Sequence, residues 1–125
     1  MRIELYLPGS IRSKKNSKRI YARGKMKKVL PSLAYLEWEK EARTDALLQL
    51  VKYPGFRTLS CPVHVSAVFY YKGQQPDLSG CLESVGDCLE GIIWENDKQI
   101  ESWDGSRLYH DKSNPRTNIS VWWEE

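Results

Sequence analysis

The sequence predicts a small α+β domain: a mixed sheet of about four strands in the order β-α-β-α-β-β, with both helices packed on one face. Three observations carry this. Some stretches alternate apolar and polar residues with a period of two, others repeat apolar residues at helical spacing, and Pro, Gly and Asn gather where the period changes. The 125 residues hold 41% hydrophobic and 11% aromatic residues, enough for one core and too short a chain for two, so residues 1–125 are read as a single domain.

In the first strand, Arg2-Ile3-Glu4-Leu5-Tyr6-Leu7, one face takes Ile3, Leu5 and Leu7, and Pro8-Gly9 ends the run. Residues 10–31 read as a basic loop. Pro31-Ser32 opens a helix in which Tyr35, Trp38, Ala42, Ala46 and Leu50 recur at helical spacing until Tyr53-Pro54-Gly55. After Pro62 a long strand alternates Val63, Val65, Ala67, Phe69 and Tyr71 with His64, Ser66, Val68 and Tyr70. His64 is a strand residue rather than a metal ligand, since no second His or Cys stands at ligand spacing. From Leu78 the period turns helical: Leu78, Cys81, Leu82, Val85, Cys88 and Leu89 form one stripe, with Gly91 as the stop, which makes Cys81 and Cys88 core thiols. Strands around Gln99–Tyr109 and Thr117–Trp123, joined by the turn-rich His110-Asp111-Lys112-Ser113-Asn114-Pro115, complete the sheet.

Composition narrows the function class. No apolar run reaches the roughly 18 residues of a membrane helix, and Met1-Arg2-Ile3-Glu4 starts an alternating strand rather than a signal peptide. Cys61, Cys81 and Cys88 form no CxxC pair, and an odd count argues against a disulfide framework, so a reducing cytoplasm is the expected compartment, with no membrane partner. The net charge of +3 hides an asymmetry. Arg12, Lys14, Lys15, Lys18, Arg19, Arg23, Lys25, Lys27 and Lys28 fall within residues 12–28 without one acid, while the rest of the chain carries 10 basic against 16 acidic groups. A basic arm on an acidic body suits a polyanion, and nucleic acid fits better than membrane because the arm has no apolar helical face. A solvated loop is the plainer alternative.

A basic protein that gathers Asp77, Glu83, Asp87, Glu95 and Asp97 around one helix needs a reason for doing so. Asp77 precedes the helix and Asp97 follows it. Residues 78–90 span about 20 Å at ~1.5 Å per residue, so the two acids meet only if the following loop folds back. On spacing alone, Asp77 is as well explained as a helix cap and Asp97 as a turn residue.

Three ordered blocks bear on the choice: Pro76-Asp77-Leu78-Ser79-Gly80, Val85-Gly86-Asp87-Cys88-Leu89-Glu90-Gly91, and Trp94-Glu95-Asn96-Asp97-Lys98-Gln99-Ile100. They resemble the RusA family of Holliday junction resolvases, whose centre reads D-L-D-N, then D-A-L-x-G, then W-x-D-D-x-Q-I/V. Ser13-Lys14-Lys15-Asn16-Ser17-Lys18-Arg19 is similar to the family's S-K-N-R-like opening. The resemblance implies a homodimeric, Mg²⁺-dependent endodeoxyribonuclease, with Mn²⁺ as a substitute ion, that binds four-way DNA junctions and nicks two opposed strands. It implies Asp77 and Asp97 as catalytic metal ligands, Asp87 as the helix acid of the pattern, and Lys14, Lys15, Asn16, Lys18 and Arg19 as DNA contacts.

The sequence departs from the pattern at Ser79, where the family carries a second acid. Mg²⁺ often keeps several waters and needs only one or two protein carboxylates beside a substrate phosphate, so Ser79 does not by itself empty the site. Glu83 lies four residues on, where helical neighbours stand about 5–6 Å apart at Cβ, and its long side chain is placed to deliver the missing carboxylate. It is equally a solvated helix acid, with Ser79 as the N-cap. The alternative function is a decayed DNA-junction binding protein that lost cleavage with that acid.

Overall fold

The computed structural model describes the backbone of residues 1–13, 18–23 and 26–124, and the side chains of residues 1–13 and 30–124. Along the chain the elements are β1 (Arg2–Pro8), β2 (Lys18–Arg23), β3 (Met26–Pro31), α1 (Leu33–Gln49), β4 (Val63–Tyr71), α2 (Leu78–Cys88), β5 (Ile100–Ser102), β6 (Arg107–His110) and β7 (Arg116–Trp122).

Period-two burial runs through three neighbouring strands. Ile3, Leu5 and Leu7 of β1, Val63, Val65, Ala67 and Phe69 of β4, and Thr117, Ile119 and Val121 of β7 are buried, and their alternating partners are half-buried or exposed. β7 lies antiparallel between β1 and β4, with Val121 opposite both Ile3 and Val65, so the buried sets merge into one apolar face. Both helices serve that face. Ser32 Oγ accepts the Tyr35 N–H at 3.1 Å to start α1, which buries Tyr35, Trp38, Ala42 and Ala46. The stripe of α2 buries Cys81, Val85 and Cys88. Burial pushes the thiols of Cys81 and Cys88 up to about 12, so both are packing groups at neutral pH.

The α+β class stands, with more strands than expected. The main sheet has five, because Gln99–Tyr109 is two strands, β5 and β6, both parallel to β4 along one edge. A turn splits them: Ser106 N–H bonds Trp103 O at 3.2 Å, and Gly105 takes a φ of 78°. The basic stretch also differs from a plain loop, since β2 and β3 pair as a separate antiparallel sheet with Ile20 opposite Val29. The run of like charges obscured a short set of strand formers, Ile20, Tyr21, Val29 and Leu30.

The outer face of the sheet carries Arg2, Glu4 and Tyr6 exposed, and His64 stacks on Trp122 with its Nδ1 2.7 Å from Ser102 Oγ, a strand residue as its spacing indicated. Among the described residues no helix is long and apolar enough to cross a membrane.

Arg43 ties the helices together. Its guanidinium donates to Cys88 O at 2.7 Å and Glu90 O at 3.0 Å, satisfying carbonyls that the end of α2 leaves without helical partners. Arg43→Ala is therefore expected to destabilise the fold by about 2 kcal/mol, the usual scale for hydrogen bonds from a charged donor, read as a lower urea midpoint. An unchanged midpoint would mean that water replaces the cap at no cost.

Candidate active site

The carboxylate of Asp77 is not used as a cap. Asp77 holds the N-cap position of α2 with extended backbone (φ −77°, ψ 122°), yet its side chain accepts no N–H from the first turn. Its Oδ2 accepts the Ser79 hydroxyl at 3.0 Å, and the side chain is otherwise exposed. Ser79 accordingly sits inside the helix rather than at its cap.

The loop after α2 does fold back, and the third sequence block explains how. Trp94 is fully buried, with its indole N–H on Gly86 O at 3.0 Å, which pins the loop to the last turn of the helix. Asn96 and Gln99 form a reciprocal capping box: Asn96 Oδ1 accepts Lys98 N–H at 2.9 Å, and Gln99 Oε1 accepts Asn96 N–H at 2.8 Å. The Gln99 amide also donates to Leu59 O and Cys61 O at 2.8 and 2.9 Å. Asp97 is thereby fixed against Gly86, where an added Cβ would stand 3.5 Å from its Cβ and 3.8 Å from its Oδ2. A methyl just fits there, and a larger side chain would displace Asp97. Asp77 touches the same helix six residues earlier, with its Oδ2 3.6 Å from where a Cβ on Gly80 would lie, so the reference points for the two acids differ by about 9 Å along the axis.

Beside Asp97 runs a groove of about 340 Å³ lined by Ser79, Leu82, Glu83, Gly86, Asp97, Ile100 and Trp103, which Asp77 adjoins through Ser79. Ser79 and Glu83 thus open onto the same groove as Asp97, with both side chains exposed and Asp97 half-buried. Asp87 is half-buried and bears on Asp97 without lining the groove.

Asp97 holds its proton more tightly than an ordinary carboxyl. Burial is the largest cause, followed by the charges of Glu90 and Asp87 and a hydrogen bond with Asp87, while Lys98 pulls the other way. Glu90 is a site residue that sequence spacing did not single out. Its Oε1 accepts the Asp97 N–H at 3.0 Å, and Arg43 holds its carbonyl. The signal lay in the same block, one residue before the Gly91 stop. Among the described residues, no three His, Cys, Asp or Glu side chains are grouped so as to hold a metal ion. The donors along the groove are nevertheless all hard oxygens, the kind that Mg²⁺ takes, and an ion sharing its shell with waters and a phosphate does not require a three-ligand protein cage.

The basic arm leaves the fold beside Asp77. Ser13 is buried against Gly80, where an added Cβ would overlap Ser13 Oγ and stand 3.2 Å from Ser13 Cβ. Ser84 Oγ lies 2.9 Å from Arg12 O and 3.0 Å from Gly80 O. No sequence pattern hints at this packing, because its partners are far apart in the chain. Of the expected DNA contacts, Lys14, Lys15 and Asn16 lie outside the described residues, and Lys18 and Arg19 are described only as backbone of β2.

A family model described as endodeoxyribonuclease RusA matches residues 8–122. No curated protein matches the chain. The matched span runs from the end of β1 through β7, taking in the arm, α2 and both ends of the groove, and the chain belongs to the RusA endodeoxyribonuclease family.

Proposed function

We propose that the protein is a Mg²⁺-dependent, structure-specific endodeoxyribonuclease that resolves Holliday junctions in the cytoplasm by paired nicks, acting as a homodimer. The observation that carries this reading is the α2 groove, which has Ser79, Glu83 and Asp97 along it, Asp77 hydrogen-bonded to Ser79 and the root of a basic arm beside Asp77. When bound, the ion neutralises phosphoryl oxygens and lowers the pKa of a water. Asp77 and Asp97 would hold it, with Glu83 as third carboxylate, Ser79 orienting Asp77, and Asp87 and Glu90 orienting Asp97. Mn²⁺ has the same hard-oxygen preference and is the natural substitute. The arm, through Lys14, Lys15, Asn16, Lys18 and Arg19, neutralises phosphates, and a two-fold dimer sets two identical grooves on symmetry-related strands.

One feature favours a second reading, that of a junction-binding protein without cleavage: the position of the second family acid is Ser79, whose hydroxyl occupies Asp77 Oδ2. Incubation of the protein with a synthetic four-way junction and a linear duplex, with and without Mg²⁺, separates the two. Paired nicks on opposed strands of the junction are expected. Tight junction binding without nicks would establish the binding protein, and equal affinity for junction and duplex would reject both.

Replacing Lys14, Lys15, Lys18 and Arg19 together with Ala is expected to weaken junction binding and to flatten the slope of log K against log salt, by up to about 0.9 for each phosphate the arm no longer neutralises. An unchanged slope would remove the arm from the DNA.

A further inference from the structure

Asp77 adjoins two concavities: its Oδ2 accepts the hydroxyl of Ser79, which lines the α2 groove, and Asp77 itself lines a second hollow. That hollow, of about 440 Å³, lies between the arm's root, residues 10–13, and the end of β4 with the loop that follows it, residues 71–77. The hollow is lined by Arg12 and Lys72, both exposed and neither ion-paired among the described residues, with Asp77 as the one acid in its lining. Its walls are tied to the fold at the backbone: Ser84 Oγ bonds Arg12 O at 2.9 Å, and Ser10 Oγ accepts the Lys72 N–H at 3.5 Å. Gln75 also faces it, and the Tyr71 hydroxyl engages the oxygen of the Gln75 side chain at 3.5 Å, leaving its two N–H groups as donors. Two cations and an amide donor around a polar hollow suit an acceptor-rich anion, and unpaired cations gain most from a phosphate.

A DNA strand lying along an acidic groove brings a row of phosphates, of which a cation in the groove neutralises only one. The adjoining phosphates need positive charge close by. We propose that this hollow is a phosphate subsite for the strand running off the α2 groove, in which Arg12 and Lys72 neutralise a backbone phosphate neighbouring the one at Asp77. The proposal rests on the junction-binding reading above and adds residues outside its basic run from Lys14 to Arg19.

The test places single uncharged methylphosphonates in turn along the strands at the crossover of a four-way junction and measures binding without divalent metal, for wild type and for Arg12→Gln/Lys72→Gln. Both residues are exposed, so the variant should fold, as an unchanged circular dichroism spectrum would verify. For wild type, several methylphosphonate positions are each expected to weaken binding and reduce the salt slope by about 0.9, those at the arm and, separately, one at the hollow. For the variant, binding is weaker from the start and the position at the hollow has no further effect, the non-additivity of partners that touch. If wild type and variant respond alike at every position, the subsite is wrong and the junction reading stands. If wild type itself does not prefer the junction to duplex, both fall.

Discussion

Asp97→Asn is expected to abolish Mg²⁺-dependent nicking, by at least about 100-fold, while leaving junction affinity nearly unchanged, and Asp77→Asn should do the same. On the proposed reading each removes a charged oxygen ligand and no phosphate contact. The Asp97 variant carries a second expectation, in stability. The folded state holds a proton on Asp97 more tightly than the unfolded chain does, through burial and the charges of Glu90 and Asp87. Its contribution is therefore most favourable at pH below the ordinary carboxylate range and is lost as pH rises through that range, so at neutral pH the ionised group is a net cost. Asp97→Asn should raise the melting temperature of the metal-free protein at pH 7, with the gain vanishing in acid. Loss of nicking with a higher melting temperature marks a site kept for function at the expense of stability; a lower one would mean that Asp97 is structural.

Glu83→Gln is the second large effect. Ser79 and Glu83 share the groove with Asp97, one helical turn apart, and if Glu83 supplies the carboxylate that Ser79 lacks, the variant should lose most Mg²⁺-dependent nicking. Adding Ser79→Asp to it should restore part of the activity, because neighbours sharing one role act non-additively. Normal nicking by Glu83→Gln would leave the site to Asp77 and Asp97. Activity appearing only when Ser79→Asp is made in an otherwise inert wild type would favour the decayed binding protein.

The parts of this site that were legible in the sequence are those governed by local periodicity. The stripe from Leu78 to Leu89 predicted α2, Ser32 predicted the start of α1, and the alternation in β1 and β4 predicted which residues are buried. What stayed hidden depends on contacts made across turns or between distant residues. Trp94 docking on Gly86, Gln99 reaching Leu59 and Cys61, and Ser13 filling the space over Gly80 set where Asp97 and the arm's root lie, and none of them leaves a periodic trace. Glu90 stayed hidden for the same reason: its role is to accept the backbone N–H of Asp97 across a turn. The β2–β3 hairpin was hidden by charge, since Lys and Arg interrupt the apolar alternation that marks a strand.

The central claim, that Asp77 and Asp97 together hold a divalent ion against junction DNA, is tested most directly by counting bound Mn²⁺ from its electron paramagnetic resonance signal. The samples are the protein–junction complex and the junction alone, each titrated with Mn²⁺, with wild type compared against Asp77→Asn/Asp97→Asn. Binding by the wild-type complex above the level of free junction, absent from the double variant although it still binds the DNA, is the predicted result. Equal Mn²⁺ binding by the two complexes would contradict the claim.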